Sequence, residues 1–289
     1  MLSHDARSEV AALLRRGLSL DRLASFAAVM SSGGLARAAP GDPVLQSQFS
    51  RQLKELERAI GHPLARRTAD GLMPTSAGAA LVRAVRALAR ELSDVQAVAE
   101  GERPRASLGA GDSVLQWLVL PRLAAVKLER LELEVTALSA EATVTALQEE
   151  RIDLGLLRAN EASGDFTTVR LGAVEYGLFE AKRDLPLAIA TSERGVSQHA
   201  RRLSRPVELR CETFPQVAQA VRAGTHAGVL PVFAARLLGP AIRRVEAVEL
   251  QHASSPLALA WRARVLERRP DLVAFRKRLE QVIRDALKE

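Results

Sequence analysis

The sequence contains little that is suited to covalent or metal chemistry. Its single cysteine, Cys211, excludes a disulfide or a paired-thiol switch within one chain. Its five histidines are scattered and do not have the spacing of a zinc site. No P-loop, G-x-S-x-G or H-E-x-x-H motif is present. The nearest approach to a G-x-G-x-x-G motif is Gly109-Ala-Gly111, which lacks the third glycine. We therefore expect no enzyme activity, no cofactor and no metal ion.

Long hydrophobic runs are also missing. No stretch approaches the roughly 18 uncharged apolar residues of a membrane span, and the start, MLSHDARSEVAALLRRG, lacks the apolar core of a signal peptide. We expect a soluble, cytoplasmic protein without a membrane partner. The 289 residues are enough for more than one domain. The formal charge of +7 is compatible with an anionic partner, although many arginine-rich proteins carry such an excess without binding nucleic acid.

Residues 45–57, LQSQFSRQLKELE, have the periodicity of an amphipathic helix. One stripe is apolar and consists of Phe49, Leu53, Leu56 and Ile60. The opposite stripe carries hydroxyls and long cations, namely Ser47, Ser50, Arg51, Lys54 and Arg58. Periodicity alone is also typical of an ordinary surface helix whose charged side is merely solvated. The neighbouring segments therefore decide between the two interpretations.

Two further helices are predicted before this segment. Helical spacing begins at Leu20 and ends at SSGG (31–34), a short helix follows at 35–39, and PGDP (40–43) breaks the chain again. Gly61 is placed to cap the C-terminus of the third helix. Three consecutive helices with a tight break before the third are typical of a helix-turn-helix unit.

A β-hairpin is predicted directly after these helices. Residues 64–75 contain two extended pieces around Asp70-Gly71, which favours a tight turn. A hairpin in this position is a wing, and its side chains Arg66, Arg67 and Thr68 are expected near phosphates. Arginine pairs on hairpins are also common as solubilising charge, so this alternative stays open.

A long helix is predicted from Thr75 to the break at GERPR (101–105). Its apolar stripe has heptad spacing and comprises Leu81, Val85, Leu88, Leu92 and Val95. This spacing favours a linker helix that pairs with a second subunit. The alternative is that the stripe packs on its own domain.

After residue 105 the pattern alternates between strands and helices. Strands are predicted at 106–110, 131–138, 152–157, 167–171, 175–179, 185–190, 207–211, 227–231 and 257–261. Helices are predicted at 114–127, 140–149, near 195–203, through Val217 and Val221, and at 270–287. This alternation predicts a mainly parallel sheet with helices on both faces, arranged as two α/β lobes with a ligand cleft at strand C-termini.

The segment from Leu20 onwards resembles the LysR-type transcriptional regulators. The third helix matches the family pattern Ser-Gln-Pro-x-x-Ser-Arg-Gln-Ile-x-x-Leu-Glu-x-x-Leu-Gly, after an Ala38-Ala39 pair. Identical positions are Gln46, Ser50, Arg51, Gln52, Leu56, Glu57 and Gly61, followed by Leu64, Arg67, Thr75 and Gly78. The match is specific over about sixty residues and looser in the C-terminal part. It implies an N-terminal all-α winged helix-turn-helix with a long linker helix and a C-terminal α/β two-lobed periplasmic-binding-protein-like effector domain.

The resemblance also implies a domain plan. An N-terminal extension at 1–19 without an assigned role precedes a DNA-binding domain at 20–75, a linker or dimerisation helix at 76–104 and an effector-binding domain at 105–289. Within the last, lobe I comprises about 105–158 and 232–289, and lobe II about 159–231. Lobe II is expected to be shorter than usual between about 180 and 206.

The resemblance assigns roles to residues and partners. Gln46, Ser47, Ser50 and Arg51 are expected in the major groove, with Gln46 and Arg51 as the best candidates for base contacts. Lys54, Arg66, Arg67 and Thr68 are expected at the DNA backbone. Two copies joined by linker helices, and further joined as a homotetramer, are expected to bind an inverted-repeat operator in double-stranded DNA.

A small-molecule effector is expected between the two lobes. The residues that the resemblance places there are Ser113, Ser139, Thr191, Ser192 and Pro231. Each of these is also a common helix cap or turn residue. Two alternatives remain: a DNA-binding regulator whose lobes only mediate oligomerisation, or a solute-binding module or enzyme.

Three positions depart from the family pattern. Asp42 replaces a core leucine, Leu45 replaces the serine that caps the recognition helix, and Ala65 replaces a phenylalanine. Because Asp42-Pro43 is itself an N-cap followed by proline, we expect the recognition helix to start up to one turn earlier. The alanine is expected to remove packing from the wing.

Overall fold

The computed structural model describes residues 12, 14–69, 71–126, 131–162, 164–192 and 194–288. The chain divides into two units, Met1–Gly101 and Glu102–Glu289. Most of the expected N-terminal extension, residues 1–11 and 13, lies outside the described residues.

The first unit begins with three helices in the order of a helix-turn-helix. They are α1 (Leu20–Ser32), α2 (Leu35–Ala38) and α3 (Pro43–Ile60). Ser19 caps α1 by accepting a hydrogen bond from the Arg22 amide at 3.4 Å, and Gly33 ends α1 in the left-handed conformation. The three predicted helices are confirmed.

The start of α3 is fixed by Asp42. Its Oδ1 accepts a hydrogen bond from the Leu45 amide at 2.9 Å, and Pro43 occupies the first helical position, where no N–H donor is needed. Gly61 ends the helix at φ 83° and donates its N–H to the Glu57 carbonyl. The predicted early start and the glycine cap are both confirmed.

The wing is an antiparallel hairpin of β1 (Ala65–Thr68) and β2 (Gly71–Pro74), as predicted. Asp70 of the predicted turn lies outside the described residues. The Glu57 carboxylate accepts hydrogen bonds from the amides of Leu64 and Ala65 at 2.8 and 3.3 Å. These bonds hold the first strand at the position where the alanine leaves less packing.

Helix α4 (Ser76–Ala99) follows the wing. Thr75 caps it by accepting a hydrogen bond from the Gly78 amide at 3.1 Å. Gly78 lies so close to the wing that a Cβ there would come within 1.8 Å of the Leu64 carbonyl oxygen. A glycine is therefore required where this helix meets the wing.

The predicted pairing stripe of α4 divides into two parts. Leu81 and Val85 pack against the core of the first unit, whose buried members are Leu23, Phe26, Leu56, Leu64 and Val82. Leu88 is exposed, and the exposed fractions of Leu92 and Val95 are 55% and 68%. The three residues nearest the end of the stripe are the ones whose side chains remain accessible to a second subunit.

The second unit is an α/β structure. Its strands are β3 (Arg105–Ala110), β4 (Glu132–Ala137), β5 (Leu154–Arg158), β6 (Thr167–Glu180), β7 (Leu187–Ala190), β8 (Val207–Cys211), β9 (Ala227–Pro231), β10 (Arg243–Val245) and β11 (Ser254–Trp261). Its helices are α5 (Leu123–Val126), α6 (Ala140–Gln148), α7 (Arg194–Ala200), α8 (Phe214–Arg222), α9 (Ala235–Leu238), α10 (Ala263–Arg268) and α11 (Pro270–Ala286).

The sheet is mixed, so the prediction of a mainly parallel sheet is wrong. Its order is β4-β3-β5-β11-β6-β9-β7-β8, with β10 on β6. Strand β3 pairs in parallel with β4 and β5, and β7 pairs in parallel with β8 and β9. Between these groups β11 and β6 run antiparallel to each other, β11 runs antiparallel to β5, and β6 runs antiparallel to β9.

Strand β6 joins the two lobes. It is one strand of 14 residues, whereas two short strands at 167–171 and 175–179 were predicted. Its first part pairs with β11 and its last part with β9 and β10. Strand β10 pairs with the same part of β6 as β9 does. The lobe boundaries given above stay a prediction.

The predicted helix at 114–127 is irregular. It consists of a π-helical segment (Val114–Val119), a 3-10 turn (Leu120–Arg122) and α5, and Lys127 lies outside the described residues. Pro121 explains the change, because proline lacks the N–H donor and its ring clashes with the preceding turn of an α-helix. The final helix is regular and buries Leu272, Phe275, Leu279 and Ile283 along one face.

Candidate nucleic-acid interface and interlobe cleft

The polar face of α3 is accessible in the first unit. Ser47, Arg51 and Lys54 are exposed, and Ser50 is half-buried. Their side chains lie away from the buried Leu56 and Ala59 that join α3 to the core. A helix that carries hydroxyls and cations on its free face has the groups that contact base edges and phosphates in DNA grooves.

Gln46 is placed differently from the other predicted DNA-binding residues of α3. It is half-buried, and its Nε2 donates a hydrogen bond to the carbonyl of Ala39 at 2.9 Å. The side chain therefore ties α3 to the end of α2. Two exposed residues of α3 were missed, Val44 and Gln48. Val44 lies four residues before Gln48, and Gln48 lies three residues before Arg51, so helical spacing places both on the same side as Arg51.

The wing presents two arginines and a threonine. Arg66 and Arg67 are exposed, and as consecutive residues of a strand they leave opposite faces of the hairpin. The Thr68 hydroxyl donates to the Gly71 carbonyl at 3.2 Å, so it stabilises the hairpin itself. The backbone of β2 is anchored by the Leu72 amide, which donates to the Gly33 carbonyl at 3.1 Å.

A cavity of about 310 Å³ lies between the lobes of the second unit, and we call it the interlobe cleft. Of the predicted effector-binding residues, Ser113, Ser139, Ser192 and Pro231 line it. Thr191 does not line the cleft within the described part of the chain, and its hydroxyl donates to the Cys211 carbonyl at 3.0 Å. Ser139 also caps α6 through the Ala142 amide at 3.2 Å, which fits the alternative role considered for it.

Three strands bring a polar group to the interlobe cleft. Arg158 ends β5, Tyr176 lies on β6, and Ser255 lies on β11. Burial raises the pKa of the Tyr176 phenol above its ordinary value of 10 and outweighs the side chains of Ser255 and Arg158, which act to lower it. The Arg158 guanidinium also pairs with Glu161 at 3.4 Å.

The rest of the cleft combines apolar surface with acidic groups. Phe214, at the start of α8 in the second lobe, places its ring centroid 5.8 Å from that of Tyr176. Among the lining residues that the structure describes, Asp112, Glu161 and Glu212 carry carboxylates and Arg158 carries a guanidinium. The cleft can thus hold a small molecule with an apolar body and polar or charged substituents.

Two protein-family models match the chain. Residues 20–79 match the model described as "Bacterial regulatory helix-turn-helix protein, lysR family". Residues 99–284 match the "LysR substrate binding domain", which is more than half of the 289 residues. The chain belongs to the LysR family. The predicted fold class is confirmed with it.

Individual LysR-family relatives are distant in sequence. A putative transcriptional regulator of Pseudomonas aeruginosa is 28% identical over 158 residues, which cover 53% of this chain and 51% of that protein. The chain thus spans about half the length of that relative. AdmX, an HTH-type transcriptional regulator of Serratia plymuthica, is 25% identical over 239 residues, covering 76% of this chain and 78% of AdmX. ArgP from Mycobacterium tuberculosis is 21% identical over 91% of this chain and 96% of its own, with a TM-score of 0.65, and shows the same fold.

The structure of this LysR-family chain adds residues that the sequence pattern did not indicate. In the cleft these are Arg158, Glu161, Tyr176, Phe214 and Ser255. Arg158 could have been found, because it follows a buried strand whose C-terminal end was expected at the ligand site. No group of three or more His, Cys, Asp and Glu that could hold a metal ion occurs among the described residues. Within the same residues no helix is long and apolar enough to cross a membrane.

Proposed function

We propose that this LysR-family chain is a sequence-specific DNA-binding transcriptional regulator that acts in the cytoplasm and responds to a small molecule in the interlobe cleft. The observation that carries the proposal is the exposed face of α3, with Arg51 and Lys54, placed beside the wing arginines within one helix-turn-helix unit. DNA-binding residues 20–75, a linker helix at 76–104 and an effector domain at 105–289 form its domain plan. A catalytic role has no support, since the sequence lacks the motifs considered above.

Two copies of the chain bind the operator in this proposal. The exposed Leu88, Leu92 and Val95 form a stripe on the second half of α4, and a partner helix with the same stripe would bury all three. A two-fold dimer matches an inverted repeat, because each DNA half-site contacts one copy of α3. A homotetramer would add a second pair of half-sites.

Selection of genomic DNA by the purified protein tests DNA recognition. Wild type should retain a small set of fragments at moderate salt, and Arg51→Ala should lose sequence preference by about 1–3 kcal/mol while keeping bulk affinity for DNA. Arg183→Ala, in an exposed loop of the second unit, is the matched control and should select the wild-type fragments. If wild type retains random fragments only, the proposal of a sequence-specific regulator fails.

A second candidate function is a regulator whose lobes only mediate assembly. The interlobe cleft favours ligand binding instead, because Arg158, Tyr176 and Ser255 converge in it from three different strands. A metabolite panel in a thermal-melting assay separates the two. A ligand that raises the melting temperature of wild type but not of Phe214→Ala or Arg158→Ala supports the cleft, whereas the absence of any shift across a broad panel favours the assembly role.

A further inference from the structure

The first turns of α3 expose an uncharged surface next to Arg51. Val44 is 79% exposed, and Gln48 is exposed one turn further along the helix. At about 100° per residue, Val44, Gln48 and Arg51 fall within a stripe about 60° wide. They follow one another at about 6 Å and about 4.5 Å along the helix axis. One stripe therefore carries an apolar, an amide and a guanidinium side chain.

Val44 is exposed because of how α3 begins. Asp42 caps the helix and Pro43 forms its first position, so Val44 lies in the first turn rather than in the preceding loop. An isolated exposed valine has no special meaning by itself. Here it stands at the N-terminal end of a helix that also exposes Ser47, Gln48 and Arg51 on this side. Gln48 and Arg51 are the two of these that lie within about 40° of Val44. In a helix-turn-helix it is this end of the third helix that contacts base edges.

Gln46 faces the opposite way. On the same helical wheel Gln46 lies about 20° from Leu53, which faces the core, and about 140° from Arg51. Its amide is bonded to the Ala39 carbonyl at 2.9 Å. This contact positions α3 against α2, and the side chain is not directed at the face that carries Arg51.

We propose that Val44, Gln48 and Arg51 read the bases of each half-site, and that Gln46 is a positioning residue. The inference rests on the proposed function. Valine offers an apolar contact for the 5-methyl group of thymine, glutamine forms two hydrogen bonds with adenine N6 and N7, and arginine forms two with guanine O6 and N7. Each half-site therefore carries a thymine, an adenine and a guanine in that order along the axis of α3.

Removal of single methyl groups from the DNA tests the role of Val44. Full-length wild type first selects its site from random duplexes, and each thymine of that site is then replaced by uracil, which lacks the 5-methyl group. A single uracil, placed in one half-site only, should weaken wild-type binding about fourfold, which corresponds to one methyl group leaving an apolar contact. Val44→Ala should bind the thymine and uracil duplexes within twofold of each other. Val248→Ala, a 76% exposed valine of the second unit, is the matched control and should keep the wild-type sensitivity.

The two glutamines give opposite outcomes in the same assay. Gln48→Ala should lose the preference for adenine at one position of each half-site by about fivefold to a hundredfold. Gln46→Ala should weaken binding to every duplex by a similar factor and leave the preferred sequence unchanged. A readout of preference thus separates base reading from a structural effect on the helix-turn-helix.

Different failures overturn different statements. A selected site whose half-sites contain no thymine, insensitivity of wild type to every uracil, or retained uracil sensitivity in Val44→Ala each overturns this inference and leaves the regulator proposal intact. A loss of adenine preference in Gln46→Ala, with none in Gln48→Ala, overturns the assignment of the glutamines. Selection of no sequence at all by wild type overturns the regulator proposal, and this inference with it.

Discussion

At the residue scale, one carboxylate links the recognition helix to the wing. Glu57 lies on α3 and accepts hydrogen bonds from the amides of Leu64 and Ala65 at 2.8 and 3.3 Å. Without it, two backbone donors at the start of β1 would lose their protein partner. The position and orientation of the wing thus depend on a side chain that itself faces away from DNA in the proposed complex.

Glu57→Ala is expected to lower the free energy of unfolding of the DNA-binding unit by about 1–3 kcal/mol, because partly buried donors are left without an acceptor. Glu57→Gln keeps an amide oxygen at the same place and should lose much less. Urea unfolding followed by circular dichroism measures both variants. Equal losses for alanine and glutamine would show that the charge, and not the acceptor, is what the wing requires.

A second residue-scale prediction concerns acid sensitivity of the second unit. Burial alone would raise the pKa of Asp271, but the Arg269 guanidinium, 2.7 Å from its carboxylate, outweighs burial and lowers that pKa below the ordinary 3.8. A folded-state pKa below the unfolded value stabilises the protein above the unfolded pKa, and this contribution is lost as the pH falls through the folded-state pKa. The stabilisation should therefore be present at neutral pH and disappear in acid.

Asp271→Asn should unfold at lower denaturant concentration than wild type near neutral pH, and the two proteins should converge as the pH falls below about 4. The control is Asp285→Asn on the same helix. The Asp285 side chain is 54% exposed and its carboxylate is 3.8 Å from the Lys288 ammonium, so its ion pair is weak and little effect is expected. A difference between Asp271→Asn and wild type that stays constant across this pH range would contradict the ion-pair explanation.

At the element scale, α4 serves two purposes along its length. Its first turns complete the core of the DNA-binding unit through Leu81, Val82 and Val85. Its later turns expose Leu88, Leu92 and Val95. Substitution in the first group would unfold the unit, so only the second group tests dimerisation.

Leu92→Lys is expected to convert the dimer to monomer, because it places a charge in the centre of the proposed helix seam. Sedimentation velocity at several protein concentrations measures the change. Leu237→Lys, a 44% exposed leucine of the second unit, should leave the assembly intact. If Leu92→Lys sediments like wild type while Leu237→Lys dissociates, the subunits pair through another surface.

The elements show where sequence patterns succeed. The cap at Asp42-Pro43, the glycine at 61 and the hairpin after α3 follow local rules, and each lies where those rules predicted. Strand β6 was predicted as two strands, at 167–171 and 175–179, whereas the structure is continuous through Gly172 and changes its pairing partner from β11 to β9 between Glu175 and Tyr176. Partner changes depend on distant segments and leave little trace in the local pattern.

The sites follow the same distinction. Helical periodicity alone puts Gln46 on the face of α3 that carries Leu53 and not on the face that carries Arg51. The resemblance to the family pattern nevertheless favoured Gln46 as a residue that contacts bases. In the interlobe cleft, Arg158, Tyr176 and Ser255 meet because β5, β11 and β6 are neighbours in the sheet. Arg158 could be found from its place after a buried strand, but the three residues are too far apart in the chain to form a motif, so only the fold shows that they meet.

At the scale of the whole molecule, DNA affinity should depend steeply on salt. Each phosphate contact neutralised by an arginine releases counterions, so the slope of log K against log salt counts these contacts. Arg67→Ala should reduce the magnitude of that slope by about 2 for a dimer, one contact per subunit, and leave the selected sequence unchanged. Fluorescence anisotropy at several salt concentrations measures it, with Arg183→Ala as the control. An unchanged slope would place Arg67 away from the DNA backbone.

The continuity of β6 has a mechanical consequence for the second unit. A single unbroken strand passes the cleft at Tyr176 and is hydrogen-bonded to β11 on one side of that point and to β9 on the other. The lobes therefore cannot open freely about a flexible hinge at this point without breaking hydrogen bonds between β6 and its neighbouring strands. A bound molecule that draws the lobes together therefore has to bend or twist β6 as one continuous strand, so an effector would act on the second unit through the deformation of this strand.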